Sequence, residues 1–595
     1  MKRAAGTAHI FLPLALLFST FLMQAQSSAS SGSPDRLKER LNGFPFEILF
    51  LHADRNKYIA GEDIWFSIYN LNIESGKLSD HNSVAYAELL NPWNQPIVQK
   101  RLKLTGGLGE GNFFLPDSIS SGTYTIRAYT HGMKDFLPEN CFMYNVEIFN
   151  PFGNSVFMRK KVSTNTPGNS DNATHQEKNI SVSMFSDSIF GRREKVTLKI
   201  RTEKNNESQA DTFNLSVSVF SAKACDALQE IDKYLPGKQI DWIKSVSQKK
   251  DFHIRSFEEN GHFLSVSVKL RETSGPDLPD HLYMSTQGKV AEFRYAARDT
   301  TGRFNFILPI DNKLRNYIIQ PEHASDMILE IEPTFPRVFP VLHCFRDTLT
   351  ASETDLFSEL SFNYQASKIY GTSTKKESAS SDETSQKKRR FYGIPELEII
   401  LSDYISLPTM LEVFYELIPG VIIRSGKTGY EMRITNPLTG VYYNEQPLVM
   451  IDGVIINNLK ILVDLNPETV EKIEVVKTPY LIGDLILHGI VNVITLKGNF
   501  SNITMPDYAV FLPYRVIDNQ FTIKLPDYSD EKNRLSRKPD LRNTLYWNPS
   551  VKTVSNEEAE IEFWTSDQPG NYTICIQGIS QSGEKISLYK SFRIR

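Results

Sequence analysis

The stretch EILFLHADRNKYIAGEDIWFSIYNLN, Glu47 to Asn72, fixes what this chain can become. An apolar run stops at Asp54-Arg55-Asn56, and another begins after Gly61-Glu62 with Ile64-Trp65-Phe66. The pattern continues through SVAYAELLNPWNQPIVQKRLKL, which reads as a hairpin turning at Asn91-Pro92-Trp93-Asn94, and through GNFFLPDSISSGTYTIRAYT, which reads as two further strands. Strands recurring every roughly 8–12 residues between polar turns describe two sheets packed face to face. Aromatic residues favour strands, and the chain has 36 Phe and 25 Tyr. The expected fold class is mainly β, with tandem β-sandwich modules, the first over residues 44–150.

The chain has 595 residues, room for several domains, and a net charge of -4. Its pI of about 6.3 argues against a nucleic-acid partner, which calls for a basic face. Met1-Lys2-Arg3, the apolar run Ile10 to Met23 and the small residues around Gln24 to Ser28 have the order of a secretory signal peptide over residues 1–26. No later run approaches the length of a membrane-spanning helix, so no spanning segment is expected after signal cleavage. Cys141, Cys225, Cys344 and Cys575 stand apart, and their spacing does not pair them.

Two internal echoes organise the β text. Tyr58, Glu62 and Ile64 are answered by Phe190, Glu194 and Val196 at the same offsets, and SGTYTIRA (Ser121 to Ala128) is answered by PGNYTICI (Pro569 to Ile576). On these residues the chain resembles the macroglobulin-type modules of the α2-macroglobulin superfamily. The resemblance implies a second module over 177–256 and a C-terminal one over 545–595. The superfamily's thioester motif, Gly-Cys-Gly-Glu-Gln, is absent, so covalent trapping is not implied.

Between the modules, residues 257–364 read as a further β-rich sandwich. The turn and strand RDTTGRFNFILP, Arg298 to Pro309, resembles the edge of carboxypeptidase-regulatory-like sandwiches. Residues 365–392, rich in Ser, Thr and Lys, read as a flexible linker, as do Ser163 to Gln176. The basic run Lys387 to Arg390 is a solvated linker end or a contact for anionic lipid.

From 393 to 499 the grammar changes. PTMLEVFYELIPG places Met410, Leu411, Phe414, Leu417 and Ile418 at helical spacing and stops at Pro419-Gly420. VIIRS, YEMRIT, PLVMIDGVII, NPETVEKIEVVKTP and GIVNVITLKG follow as strands and turns, which makes a small α+β domain. Asp452-Gly453 forms a tight turn, Asn466-Pro467 starts a helical turn, and the strands end near Lys477 and restart at Gly489. This order and spelling resemble the plug domain of TonB-dependent outer-membrane receptors, with Asp452, Gly453, Pro467, Lys477 and Gly489 as the matching positions. LIGDLILHG after Tyr480 departs from that pattern. A plug normally sits inside a barrel. Only 96 residues follow Asn499, whereas a 22-stranded barrel needs on the order of 220 in its strands alone. Residues 500–544 read as a linker, so the chain carries no transport pore of its own.

No catalytic, cofactor-binding or metal-binding set emerges. The histidines, including His253, His262 and His281, show no metal-ligand spacing. Gly106 to Gly111 lacks the Lys-Ser/Thr pair of a phosphate loop, and no Gly-x-Ser-x-Gly elbow occurs. The expectation is a non-enzymatic exported interaction protein without cofactor, periplasmic or outer-membrane-associated in a Gram-negative envelope. Its partner would be an outer-membrane protein or envelope complex, such as a transporter or assembly machine. The alternatives are an adhesin for glycans or proteins, which calls for Trp65, Trp93 and Trp564 on one open face, and a hydrolase or protease inhibitor, which calls for a cleft with convergent titratable groups.

Overall fold

The computed structural model describes residues 45–153, 157–161, 180–184, 188–202, 210–226, 228–232, 256–270, 278–323, 327–340, 343–370, 375–378, 389–426, 429–500 and 503–595. The signal segment, the 163–176 linker and most of the 371–388 stretch fall outside them. The described residues are mainly β, in packed sheets with no barrel.

The first sandwich is contiguous. Its eight strands are Glu47–Ala53, Lys57–Ile59, Asp63–Asn72, Val84–Leu90, Pro96–Lys103, Leu108–Phe114, Gly122–Thr130 and Phe142–Phe149. Strands one, three and six form one sheet, and the order two, eight, seven, four, five forms the other. Alternate residues such as Phe50, Phe66, Phe113, Ile126 and Phe142 meet between them, fully buried.

The second sandwich repeats this plan from two distant pieces. Its strands are Ile180–Met184, Ile189–Phe190, Lys195–Thr202 and Thr212–Ser221, then Thr544–Val554, Glu558–Trp564, Gly570–Ser580 and Lys585–Ile594. Numbered within the module, one, three and six again form one sheet, and two, eight, seven, four, five the other. The expected modules 177–256 and 545–595 are therefore a single sandwich, a correction of the domain reading. Turn-and-strand spelling identifies strands but not their partners, and here Thr212–Ser221 pairs with both Thr544–Val554 and Gly570–Ser580. Everything between Ser221 and Thr544 is inserted where the first sandwich has its Asn91 to Asn94 hairpin turn.

The echoes are equivalent positions. Tyr58 and Phe190 lie on the short second strands, each parallel to the eighth. Glu62 accepts a hydrogen bond from the Ile59 N–H (2.8 Å), and Glu194 accepts one from the Gly191 N–H. Tyr124 donates to the Ser120 carbonyl (2.8 Å), and Tyr572 donates to the Gln568 carbonyl (3.0 Å), each four residues upstream. Gly61, at φ +91°, is matched by Arg193 at φ +52°. A side chain in the left-handed region costs about 1 kcal/mol or more. Arg193 offsets this with a two-pronged contact to Asp567 (2.9 and 2.6 Å) and with donation to the carbonyls of Asn533, Arg534, Ser536 and Lys538.

The insertion holds a third sandwich, and a further insertion lies within that. His262–Leu270, Arg303–Leu308 and Met327–Ile331 form one sheet. Glu292–Ala297, His281–Thr286, Arg315–Pro321 and Val510–Tyr514 form the other. The last of these strands lies in the stretch read as a 500–544 linker. That reading is corrected: Val510–Tyr514 pairs with Arg315–Ile319, Phe521–Lys524 pairs with Lys375–Ser378, and Glu531–Arg534 is helical.

The 257–364 boundary is corrected as well. After Ile331 the chain leaves the third sandwich. Arg127, paired with Glu88 and fully buried, donates to the carbonyls of Val338 (2.6 Å) and Pro336 (3.0 Å), fastening the proline-rich segment to the first sandwich. His343–Asp347 then joins Phe157–Lys161 at that sandwich's edge. Ala351–Tyr370 is a helix, so the 365–392 linker reading fails at its start. Thr350 and Glu353 form a reciprocal cap: the Glu353 carboxylate accepts from the Thr350 N–H (2.8 Å), and the Thr350 hydroxyl accepts from the Glu353 N–H (3.3 Å). That reading also fails at its end, where Arg390 pairs with Glu474 and Glu398 and Tyr392 is buried.

Two outcomes test this architecture. Deleting residues 544–595 leaves Thr212–Ser221 without either neighbour, so its amides lose their slow hydrogen exchange; retained protection there would contradict the shared sandwich. Arg193→Ala removes the clamp and keeps the backbone strain, whereas Arg193→Gly removes both. Both lower stability, by about 2–3 kcal/mol for alanine, and glycine is the milder by about 1 kcal/mol in urea denaturation.

Candidate functional site

The residues singled out from the α+β segment serve its framework. Its sheet runs Leu397–Ile400, Val470–Val476, Ile490–Thr495, Leu448–Ile451, Val454–Ile455, over the helix Met410–Leu417, which Thr409 caps by accepting from the Glu412 N–H. Asp452 and Gly453 both have positive φ (48° and 75°), a type I′ turn. The buried Asp452 carboxylate accepts from the Thr495 N–H (2.7 Å), the Thr495 hydroxyl (2.7 Å) and the Phe500 N–H (2.8 Å). Its carbonyl accepts from the Gly288 N–H of the third sandwich (2.9 Å). A Cβ on Gly453 would lie 2.8 Å from the Thr286 carbonyl oxygen, so glycine is what allows the domain to seat on that sandwich.

Pro467 opens a 3-10 turn behind Asn466, whose side chain accepts from the Glu468 N–H (3.0 Å). Gly489 has φ +99°, and a Cβ there would meet Ile434 at 2.7 Å. Lys477 is half-buried, with Nζ 3.3 Å from where a Gly420 Cβ would be. Asp452, Gly453 and Pro467 lie toward one end of the sheet, and Lys477 and Gly489 toward the other. They do not converge.

At one end the domain presents apolar side chains outward. The loop from Thr435 to Tyr443 is closed on itself by Asn436 N–H to the Val441 carbonyl (2.8 Å) and Gly440 N–H to the Asn436 carbonyl (2.9 Å). It holds Leu438 89 % and Val441 66 % exposed. LIGDLILHG, where the sequence departs from the plug pattern, is a hairpin, Tyr480–Ile482 against Leu485–Leu487. Leu481 and Ile486 face each other across it, and both are exposed. Its tip is fixed by the Tyr295 hydroxyl donating to Asp484. Loop and hairpin leave the same end of the sheet, and they touch through Tyr443 and His488, 5.5 Å between ring centres. Sequence reading missed this surface because Leu438, Val441, Leu481 and Ile486 look like core residues until the strands on either side are placed.

Constellations that could be mistaken for catalytic ones are sealed between modules. His52 Nδ1 lies 2.6 Å from the Ser216 hydroxyl, with Cys575 Sγ 3.5 Å from Nε2, but all three are at most 1 % exposed. Burial pulls His52 down to about 3 and pushes the Cys575 thiol up to about 12, so neither a useful base nor a thiolate forms. At the junction of the first and third sandwiches, the Tyr86 hydroxyl (2.8 Å) and His262 Nδ1 (2.8 Å) both reach Glu258, while His262 Nε2 meets the Tyr514 hydroxyl (2.7 Å). Burial works to raise the Glu258 carboxyl, but the His262 hydrogen bond together with the nearby charges of His262, His131 and Lys134 outweighs it and holds the group down at about 2. Burial lowers His262. A neutral His262 donating to Glu258 and accepting from Tyr514 satisfies every atom. His253 lies outside the described residues, and His281 pairs with Glu322 (3.0 Å).

Two adjoining clefts, of about 200 and 350 Å3, flank Tyr364 and Lys368 of the long helix. The smaller is lined by Asp54, Arg55 and Glu62, already engaged with Thr544 and Asn543 of the second sandwich. No group of His, Cys, Asp and Glu suited to a metal ion occurs among the described residues, and no helix among them is long and apolar enough to cross a membrane.

No protein-family model matches the chain, and no curated protein matches it. Solved structures similar to it include Salmonella alpha-2-macroglobulin reacted with methylamine, at 9 % identity over 93 % of this chain and 23 % of that one, TM-score 0.15. Escherichia coli alpha-2-macroglobulin activated by porcine elastase is 9 % identical over 92 % of this chain and 44 % of that one, TM-score 0.21. The trypsin-activated Escherichia coli protein is 10 % identical over 92 % and 41 %, TM-score 0.23. The chain spans less than half the length of each, and likeness at this level carries nothing about activity.

Two predictions follow the geometry. Gly453→Ala should cost about 2–4 kcal/mol, because it meets both the strained φ and the Thr286 carbonyl, and thermal unfolding of the α+β domain would register it. Acid should also loosen the modules. His52 and His262, depressed in the fold, stabilise it fully above about pH 6.5, the value of the unfolded chain. That stability is lost as the pH falls, for His52 down to about 3, and Glu258 adds a further loss from its ordinary range down to about 2. The urea midpoint should fall from pH 7 to pH 4, and His52→Gln should flatten the decline; a level profile would exclude this linkage.

Proposed function

We propose that this chain is a non-enzymatic, exported interaction protein of the Gram-negative envelope, an outer-membrane-associated accessory that docks an outer-membrane transporter or assembly complex through its α+β domain. The observation that carries the reading is the ordered apolar end of that domain, with Leu438, Val441, Leu481 and Ile486 held outward by loops fixed at both ends. Side chains of this size left in solvent on a rigid support gain about 1.5–3 kcal/mol each when a partner covers them. The plug-like spelling of the same segment supports an outer-membrane setting, and the signal-like N-terminus supports export. The sandwiches act as the scaffold, seating the domain through the Asp452–Gly453 turn.

The glycan-platform reading has less support. Trp65 is 5 % exposed and Trp564 is half-buried against Tyr528, leaving Trp93 alone in solvent at 57 %.

Affinity capture from outer-membrane extracts tests the proposal. The full chain should retain an outer-membrane barrel protein, and Leu438→Asp with Leu481→Asp should reduce capture at least tenfold while leaving unfolding unchanged. Capture that ignores both substitutions would remove the apolar end from the mechanism, and a cytoplasmic location on fractionation would remove the envelope reading.

A further inference from the structure

The α+β sheet has two edges, and they are treated differently. The Val454–Ile455 edge is covered: Gln320 Nε2 donates to the Ile455 carbonyl (2.9 Å), and Asn457 Nδ2 donates to the Pro321 carbonyl (3.2 Å). The opposite edge, Leu397–Ile400, pairs on one side with Val475 to Lys472 and, among the described residues, meets no backbone hydrogen-bond partner on the other. In an antiparallel pair, alternate residues turn their N–H and C=O groups away from the neighbour, so this strand offers an open ladder.

Open edges in stable proteins are blunted by charge, proline or a covering segment. The first sandwich does so at Pro96–Lys103, with Pro96, Lys100, Arg101 and Lys103 on the strand and Asp518 bonded to the Arg101 backbone (2.7 and 3.0 Å). Leu397–Ile400 is short, follows Pro395 and carries the charge of Glu398, but it is flanked by Ile394, 91 % exposed, and Ile405, 83 % exposed, with Tyr404 and Ile400 also in solvent. The surroundings are acidic. From Ile394 to Leu417 there are five carboxylates, Glu396, Glu398, Asp403, Glu412 and Glu416, and no Lys or Arg. Glu398 is partly answered by Arg390 (3.2 Å) and Lys472 (3.0 Å) from outside that stretch. Glu396 and Asp403 lie exposed to either side of the strand. Glu396 also accepts from the Thr478 N–H (2.8 Å), which joins this edge to the base of the apolar hairpin.

We infer that Leu397–Ile400 is a docking edge for an extended polypeptide strand of a partner in which basic residues alternate with aliphatic ones. Main-chain hydrogen bonds to the open ladder supply the pairing. Ile394, Ile400 and Ile405 take the aliphatic side chains, and Glu396 and Asp403 take the basic ones. A second copy of this chain is disfavoured, since its own edge brings the same carboxylates. The inference rests on the docking reading above and names the partner chemistry for the same domain.

The test uses the full chain and two labelled nine-residue peptides, one alternating lysine with valine and the other alternating glutamate with valine. The lysine peptide should bind, weaken at least tenfold in high salt, and slow hydrogen exchange at Leu397–Ile400. Glu396→Lys with Asp403→Lys, and separately Ile394→Ser with Ile405→Ser, should each weaken it at least tenfold at unchanged thermal stability. Equal binding of the glutamate peptide, protection at another edge, or insensitivity to both double substitutions overturns the inference, as does self-association abolished by the same changes. If partner capture from the extract is unaffected by Glu396→Lys/Asp403→Lys, the edge inference falls and the docking reading stands. If peptide binding behaves as stated while no partner is captured, the edge inference holds and the docking reading falls.

Discussion

Backbone pairing between Thr212–Ser221 and the strands Thr544–Val554 and Gly570–Ser580 is the constraint on which the rest of the chain hangs. Strands from both ends of the insertion complete one core, in which Phe213, Val217, Ile574 and Ile576 are fully buried. The ends of a large insertion are thereby held as close together as the two arms of a hairpin. The third sandwich repeats the device on a smaller scale, with Val510–Tyr514 returning after the α+β domain to close its sheet. Three cores are nested, and the outer two are completed only when the chain comes back.

Buried polar contacts keep the nested cores in register. Asp54 and Arg55 of the first sandwich meet Thr544 of the second (2.7 and 2.9 Å). Glu258 and His262 link the first sandwich to the returning strand through Tyr86 and Tyr514. Each contact joins residues far apart in sequence, and each would leave a buried donor, acceptor or charge unsatisfied if the modules shifted. Apolar packing alone tolerates sliding, whereas these contacts do not. The α+β domain is seated in the same way, through the Asp452 carbonyl and the Gly453 approach, so the surface it presents has a fixed direction relative to the scaffold.

Local grammar was legible in the sequence, and partnership was not. The alternation in Glu47 to Asn72, the helix at Met410 and the Asp452-Gly453 turn each follow from residues within a few positions of one another. The echoes at Phe190 and Tyr572 were visible too, yet nothing local reveals that they belong to one module. The helix Ala351–Tyr370 escaped notice because its buried face includes Ser361, Asn363 and Ser367 while Phe362 and Ile369 point to solvent, which blurs the apolar period. Thr350-x-x-Glu353 was a signal that could have found it. The outward-facing Leu438 and Leu481 were illegible for a different reason: exposure belongs to the assembled sheet and not to the residue.

The split second sandwich has a consequence for how the protein is made. Asp211 and Ser555, bonded in the finished fold, lie 344 residues apart. A chain synthesised or exported from its N-terminus presents four strands of an unfinished sandwich long before their partners arrive. Closing such a loop costs little more free energy than closing a short one, since the entropy grows only with the logarithm of length, but it takes time, and unpaired strand edges invite association in the interval. The second sandwich cannot complete its core until residues 544–594 arrive, so the part of the molecule that holds both ends of the insertion together is the last to gain its partners.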